Sequence, residues 1–193
     1  MIKRITLIFM PLLFAACCLY AAGETSALME KGVEYCRAGL YDEAIKQFDK
    51  VIEMEPENAE AYNNRGIAYF ARVSQERTHG KDFKKMVEDV NSADADFTSA
   101  IKLNPDLTSA YYNRGLMNIA QFEKAIIDFS RVIALKPDHA KAYYYRAVEY
   151  YNLKDYTQSW RDVNKAKELG YDVDSIFLGK LKKVSPGGSQ GKI

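Results

Sequence analysis

Hydrophobic residues recur along most of the chain at steps of three and four, which is the spacing of one face of an α-helix. In the segment 41–54 the apolar stripe consists of Tyr41, Ala44, Ile45, Phe48, Val51 and Ile52. A short helix cannot bury such a stripe by itself, so a neighbouring helix has to cover it. The pattern therefore predicts an all-α protein built from packed amphipathic helices.

The helical pattern is repeated along the chain. Pro56, Pro105 and Pro137 each follow an amphipathic run, at the place where the missing N–H and the ring of proline end a helix. Five residues after each of these prolines begins one of three near-copies of one hexapeptide, at 61–66, 110–115 and 142–147. A period of about 34 residues indicates helical hairpins that stack on one another.

The small and aromatic columns of these copies resemble the tetratricopeptide repeat family. The first unit fills the family's columns with Gly32, Tyr35, Ala44, Phe48 and Pro56. The resemblance covers four units, 25–58, 59–107, 108–139 and 140–171, with departures from the pattern at Asn118, Ala147, Ser159 and Tyr171. It implies a right-handed superhelix of about four helical hairpins, in which glycine and alanine allow close helix approach.

The segment after the last unit is predicted to close the stack. Residues 173–184 form an amphipathic pattern and are expected to be a C-terminal capping helix, because end units of a repeat need a cover. Leu169 and Gly170 should end the preceding helix. Residues 185–193 are rich in glycine and serine and are expected to be a disordered tail.

The second unit is longer than its neighbours. It has 49 residues, about 15 more than the usual repeat, and the excess lies between Tyr69 and Ala93. Helical composition continues on both sides, so both helices should be about two turns longer, with a turn at Thr78–Gly80. This extended hairpin is called the finger. It is either a tolerated insertion or a contact surface. If it is a contact surface, the protein is predicted to be a self-associating structural component.

The first 23 residues have the layout of a secretory signal. Lys3 and Arg4 precede an apolar run from Ile5 to Ala22, which ends in small residues. The stretch 13–17 resembles a lipobox, which makes Cys17 a candidate for lipidation. Lipoprotein, freely secreted protein and uncleaved membrane anchor all stay open. All three alternatives predict an exported protein, which would be periplasmic, outer-membrane-associated or secreted. Any contact with a membrane is expected only through this segment.

Charge and motifs exclude several functions. Without Lys3 and Arg4 the 27 basic residues fall to 25, against 26 acidic ones, so the chain lacks the positive charge that nucleic acid requires. His79 and His139 are expected in solvated turns, without metal. The carboxylates, such as Asp42 and Glu43 near Lys46, are expected to form a solvated face. No catalytic motif occurs, so the sequence predicts no enzyme activity and no cofactor.

The family resemblance implies a concave groove lined by the first helix of each unit. In the first unit, and at the start of the second, it places Ser26, Met29, Glu30, Val33 and Glu60 in the groove. The predicted partner-binding residues are Asn63, Asn64, Ile67, Phe70, Tyr112, Asn113, Leu116, Lys141, Tyr144, Tyr145 and Tyr151. About half of the tyrosines should pack between helices instead of facing a ligand.

Two features refine the expected ligand. Asn64 and Asn113 occupy one column, where an amide can both donate to and accept from a peptide backbone. The carboxylate clamp of some family members is only partly present: Asn113 and Lys141 match two of its places, but Asn63, Ile67 and Tyr145 replace its charged or amide groups. The sequence therefore predicts an extracytoplasmic adaptor or scaffold for a peptide or protein, without a clamp ligand; the alternative is self-association through the finger, giving a homo-oligomer.

Overall fold

The computed structural model describes residues 23–79 and 83–186, with the side chains of 76–79 excepted. This described part contains helices and no strand, and the predicted all-α class is confirmed. Helix α1 covers residues 23–37. The others are α2 (Tyr41–Met54), α3 (Ala59–His79), α4 (Phe83–Leu103), α5 (Thr108–Met117), α6 (Phe122–Leu135), α7 (Ala140–Asn152), α8 (Tyr156–Glu168) and α9 (Ser175–Val184).

The helices form two compact units, and each consists of hairpins of consecutive helices. Unit 1 ends at Leu103 and contains the hairpins α1–α2 and α3–α4. Unit 2 begins at Asn104 and contains α5–α6 and α7–α8, followed by α9. Helices α2, α4 and α6 each end two residues before a proline. Gly170 has a φ of 82°, so the predicted left-handed stop after Leu169 is present.

Each of the first three hairpins is closed by a glycine that lies under a phenylalanine ring. A Cβ atom on the glycine would lie within 3 Å of ring carbons, closer than a side chain can approach. The pairs are Gly32 with Phe48 at 2.5 Å, Gly66 with Phe97 at 2.8 Å and Gly115 with Phe129 at 2.9 Å. All three rings are fully buried, so the absence of a side chain sets the distance between the helices.

The fourth hairpin makes the same contact with different residues. Ala147 stands in the glycine position and the smaller Val163 stands in the phenylalanine position, and both are fully buried. Ser159 replaces the usual alanine, and its Oγ donates a hydrogen bond of 2.8 Å to the carbonyl oxygen of Ala147. The departure at Ala147 is therefore compensated by Val163, because the smaller valine leaves room for the methyl group of alanine. The departure at Ser159 is compensated by its hydrogen bond.

A second contact between paired helices joins an arginine to a buried aspartate. The carboxylates are 6% exposed or less, and each accepts two hydrogen bonds from one guanidinium. The pairs are Arg65 with Asp96, Arg114 with Asp128 and Arg146 with Asp162, at 2.7–3.0 Å. The expectation that the carboxylates form a solvated face is wrong for these residues, since they hold hairpins together.

The finger contains one additional contact of this kind. Arg72 lies seven residues after Arg65 and donates two hydrogen bonds to Asp89, which lies seven residues before Asp96. Arg72 also pairs with Asp42 of α2, whereas the sequence had suggested Lys46 as the neighbour of Asp42.

The two helices of the finger, α3 and α4, have 21 residues each. The turn predicted at Thr78–Gly80 begins too early, because α3 continues through His79.

Helix α9 covers the apolar end of the α7–α8 hairpin. Phe177 and Leu181 are buried in one cluster with Trp160, Val163 and Ala166. The indole Nε1 of Trp160 donates a hydrogen bond of 3.0 Å to the carbonyl oxygen of Ser185, which fixes the end of α9. Buried apolar contact and this hydrogen bond therefore join α9 to the α7–α8 hairpin.

No helix in the described part of the chain is both long and apolar enough to cross a bilayer. The apolar run that ends at Ala22, with Cys17, lies outside the described residues, as do residues 187–193 of the predicted tail.

The Gly66–Phe97 contact gives a direct test of hairpin closure. The substitution Gly66→Ala should lower the free energy of unfolding by about 1–3 kcal/mol, because its Cβ would overlap a buried ring. Adding Phe97→Val, which imitates the pairing of Ala147 with Val163, should make the double variant less destabilised than the sum of the two single changes. Urea unfolding measures all three proteins.

Gly179→Ala is the matched control, since Gly179 lies in α9 and, beyond its chain neighbours and the nearby backbone of its own helix, nothing lies within 4 Å of an added Cβ. It should stabilise the protein by about 0.5–1 kcal/mol through helix propensity alone. If the losses in free energy of unfolding from Gly66→Ala and Phe97→Val simply add in the double variant, the two residues do not act through a shared contact.

Candidate functional site

Helices α1 and α3 of unit 1 line an open concavity of about 470 Å³. It is lined by Met29, Glu30, Val33, Glu34, Arg37, Glu60 and Asn64. Met29 and Val33 are half-buried and also pack against the core of the α1–α2 hairpin. The concavity has the dimensions of a binding pocket, and it combines an apolar floor with a polar rim. Five of its residues occupy positions that the family resemblance placed in the groove.

The amide of Asn64 is oriented by its neighbour. The Nδ2 of Asn63 donates a hydrogen bond of 3.3 Å to the Oδ1 of Asn64, so the Nδ2 of Asn64 is the group left to donate into the concavity. Asn63 is 5% exposed, whereas Asn64 is half-buried. Asn64 can therefore donate to a peptide carbonyl, and Asn63 positions it.

Ile67 and Phe70 lie further along α3 and are half-buried. Neither of them lines the concavity between α1 and α3. Their contact with a partner stays a prediction, and their apolar side chains would serve as anchors without supplying charge.

In unit 2 the predicted tyrosines pack largely against the protein itself. Tyr112 lies edge-on to Phe129 at 6.0 Å and to Tyr145 at 6.1 Å, while Tyr145 stacks on Phe129 at 5.8 Å. Leu116 packs on the same core cluster. Burial, and then the neighbouring hydroxyls of Tyr145 and Tyr171, raise the pKa of Tyr112 to about 12. These rings are fixed by packing, and Tyr112 stays neutral at physiological pH.

Tyr144 and Tyr151 are covered in part by the capping helix. Phe177 of α9 lies edge-on to both, at 5.8 Å and 5.6 Å between ring centroids. Tyr144 also lies 5.0 Å from the ring of Tyr171. Much of the aromatic surface predicted for a partner is therefore occupied by α9.

The remaining predicted residues of unit 2 are less enclosed. Asn113 is half-buried on α5, and Lys141 is exposed in the first turn of α7. Each stays a prediction as a partner contact. His139, expected to be solvated, is half-buried and caps α7, since its Nδ1 accepts a hydrogen bond of 3.2 Å from the N–H of Ala142.

A further concavity of about 550 Å³ lies at the loop between α2 and α3, lined by Glu55, Pro56, Glu57 and Asn58. The Glu55 carboxylate accepts hydrogen bonds from Thr25 at 2.6 Å and from Asn58 at 2.7 Å. Both bonds lower the pKa of Glu55. These carboxylate oxygens tie the loop to α1, which is a structural role.

Sequence reasoning missed the buried carboxylate of Glu149 on α7. This side chain is 1% exposed and accepts a hydrogen bond of 3.2 Å from the Nδ2 of Asn152. Burial raises the pKa of Glu149. No cation pairs with Glu149 among the described residues. The burial of Glu149 was indicated by its position four residues after Tyr145, which packs on the core. This spacing places both side chains on one face of the helix.

The finger exposes apolar side chains at the start of α4. Phe83 is 78% exposed and Val87 is 44% exposed. Large exposed apolar side chains occur at contact surfaces, although single ones are also ordinary. Self-association through the finger stays a prediction. Within the part of the chain with described coordinates, no group of histidine, cysteine or carboxylate side chains could hold a metal ion.

Comparison with protein families and curated sequences points to one repeat type. A family model described as TPR repeat matches residues 32–72. RNA polymerase II-associated protein 3 of Xenopus laevis is 34% identical over 91 residues, 47% of this chain and 12% of that protein. Human serine/threonine-protein phosphatase 5 is 34% identical over 87 residues, 45% of this chain and 14% of that protein. The chain thus spans only 12% of the length of the first relative and 14% of the length of the second.

Solved structures agree with this result, and the predicted tetratricopeptide-type fold is confirmed. The first TPR of Spaghetti (RPAP3), bound to the HSP90 peptide SRMEEVD, is 29% identical with a TM-score of 0.57 over 68% of this chain and 94% of that one. MamA is 25% identical with a TM-score of 0.63, covering 80% and 83%. The thermophilic TPR protein TTC0263 of Thermus thermophilus has a TM-score of 0.66 at 18% identity, covering 89% and 87%, and this last likeness concerns the fold alone.

Glu149 should make stability depend on pH. Its pKa in the folded protein lies above that of the unfolded chain, so the folded state holds the proton more tightly. The stability from this group is fully present below the unfolded pKa and is lost as pH rises through the folded pKa. Glu149→Gln cannot ionise and should be about 1–2 kcal/mol more stable than the wild type at pH 7, with the advantage absent at pH 4.

Urea unfolding of both proteins at pH 4 and pH 7 measures the effect. Glu53→Gln, which changes an exposed glutamate of α2, is the control and should show no such pH-dependent difference. An equal effect of Glu149→Gln at both pH values would show that its burial does not disfavour ionisation.

Proposed function

We propose that this tetratricopeptide-repeat protein is an adaptor that holds an extended peptide segment against α1 and α3. The α1–α3 concavity is the observation that carries the proposal, because it combines the apolar side chains of Met29 and Val33 with an amide donor on Asn64. Hydrogen bonds to a ligand backbone give affinity in such grooves, and neighbouring apolar sites give specificity. The binding of a peptide by the related TPR of Spaghetti supports this class of ligand.

The ligand of that relative does not transfer as it stands. The peptide SRMEEVD contains three acidic residues and one basic residue. In this chain Asn63 is buried, Tyr145 is stacked on Phe129, and Ile67 is uncharged. None of these positions supplies the cation that would hold a carboxylate. The class of ligand is therefore an internal peptide segment, not an acidic terminus.

Catalysis is no part of this proposal. The phosphatase relative matches over 14% of its own length, so its activity is not assigned to this chain. The carboxylates buried in the described part of the hairpins are paired with arginines, apart from Glu149. Binding without turnover is the function that this arrangement supports best.

Photo-crosslinking tests where the peptide lies. A photoreactive phenylalanine placed at Val33 should crosslink peptides selected from a random library by the purified protein, and the same group at Lys50, an exposed position of α2, should not. Asn64→Ala should weaken binding about five- to tenfold through loss of hydrogen bonds, with helicity unchanged by circular dichroism. Binding that is indifferent to Asn64 and crosslinks only from Lys50 would remove the concavity from the account.

Tyr144 and Tyr151 are unsuitable for the same test. Both pack on Phe177, so alanine at either position would remove core contact of the capping helix together with any partner contact.

We further infer that the protein works outside the cytoplasm, as an adaptor of the cell envelope or in secreted form. The charges of Lys3 and Arg4, the apolar run after them and the small residues before Glu24 support export. Cys17 is the proposed lipidation site, with free secretion and an uncleaved anchor as the alternatives.

Mass spectrometry of the mature N-terminus distinguishes these fates. An acylated N-terminal Cys17 is expected for the lipoprotein, and a start at Glu24 for the secreted form. An intact N-terminus in the membrane fraction would indicate the anchor. Export itself would be contradicted by an intact Met1 terminus on protein that is found entirely in the cytoplasm.

A further inference from the structure

The rim of the α1–α3 concavity carries an excess of negative charge. Three glutamates, Glu30, Glu34 and Glu60, face one arginine, Arg37. All four side chains are exposed. Within the described residues none of the three carboxylates forms an ion pair or a side-chain hydrogen bond, in contrast to the aspartates of the hairpins. Their charge is therefore available to a ligand.

The carboxylates also have a spacing that suits an extended chain. Glu30 and Glu34 are one helical turn apart on the same face of α1, which separates their Cβ atoms by about 5–6 Å. Alternate residues of an extended peptide lie about 6.6 Å apart and point to the same side. The long, flexible side chain of lysine or arginine accommodates the difference.

The apolar floor lies next to these charges on α1. Met29 and Val33 are half-buried, and each directly precedes one of the two glutamates of α1. In an extended peptide that lies along the concavity, one set of alternate side chains points to the exposed glutamates of the rim and the other set points to the floor. The residues of this second set can lie on Met29 and Val33, while Asn64 donates to the peptide carbonyl between them.

We propose that the α1–α3 concavity binds an extended segment with lysine or arginine at alternate positions and aliphatic residues between them. The proposal rests on the peptide-binding function proposed above and adds the chemistry of the partner. Opposite charges at an exposed rim contribute mostly to specificity and association rate, so the preference among peptides should be strongest at low salt.

Three acetylated and amidated eight-residue peptides test the proposal by fluorescence anisotropy. One alternates lysine with leucine, one alternates glutamate with leucine, and one alternates glutamine with leucine. The lysine peptide should bind the wild-type protein most tightly. The triple variant Glu30→Gln/Glu34→Gln/Glu60→Gln should weaken binding of the lysine peptide about tenfold and should leave binding of the glutamine peptide unchanged.

The control variant is Glu43→Gln/Glu53→Gln/Asp94→Asn. These three carboxylates are exposed in unit 1 and lie outside the concavity. This variant changes the net charge by the same amount, so an effect of overall charge would appear in both variants. Loss of the lysine-peptide preference in the first variant alone is the expected result.

The remaining outcomes separate this proposal from the function on which it depends. If all three peptides bind equally and Asn64→Ala weakens all of them, the concavity binds peptides but its charge does not select them. If the glutamate peptide binds most tightly, or if both triple variants behave alike, the proposed partner chemistry is wrong. If no peptide binds at any salt concentration, the peptide-binding function itself is wrong.

Discussion

A phenylalanine ring that occupies the space of a missing side chain holds the first three hairpins of this protein together. In each of them a glycine of the first helix lies under a ring of the second, within 3 Å of where a Cβ would be. Burying such a ring contributes about 2–3 kcal/mol, and the short approach lets the rest of both helices pack at the density of a protein interior. The fourth hairpin keeps a close contact with Ala147 and Val163, so the requirement is a small residue matched to the size of its partner and not glycine itself.

The arginine–aspartate pairs follow from this close approach. An arginine directly precedes the small residue at Gly66, Gly115 and Ala147, and an aspartate directly precedes Phe97, Phe129 and Val163. When the small residue meets the ring, the two charges are brought within hydrogen-bond distance at the side of the contact. A buried pair is weak evidence for net stability, but losing one partner leaves an uncompensated charge and costs about 3–5 kcal/mol. The pairs therefore penalise any other alignment of the two helices.

Much of the hairpin architecture was predictable from sequence, because it depends on local spacing. Steps of three and four residues indicated the helices, and the recurrence of Gly66 and Gly115 before an aromatic column indicated their pairing. The buried aspartates were missed because charge alone does not reveal burial; comparing Asp96, Asp128 and Asp162 as one column would have shown it. The lengths of α3 and α4 were anticipated, whereas the position of their turn was not.

The candidate site was less predictable, because exposure depends on tertiary contacts. Asn64 shared a column with Asn113, but the orienting hydrogen bond from Asn63 became visible only in the fold. Tyr144 and Tyr151 belong to the predicted groove column by sequence. In the fold, Phe177 of α9 packs on both tyrosines. The spacing of residues within α7 does not predict that another helix covers them.

The proposed function places an extended peptide in the α1–α3 concavity of unit 1. Methyl NMR spectra of the protein, titrated with the lysine–leucine peptide, measure this most directly. The account predicts saturable shifts of the Met29 and Val33 methyl signals, while the methyl signals of Ile127, which is 67% exposed on α6, stay in place. Shifts centred on Ile127 or on Val87 of the finger, with Met29 and Val33 unchanged, would contradict it.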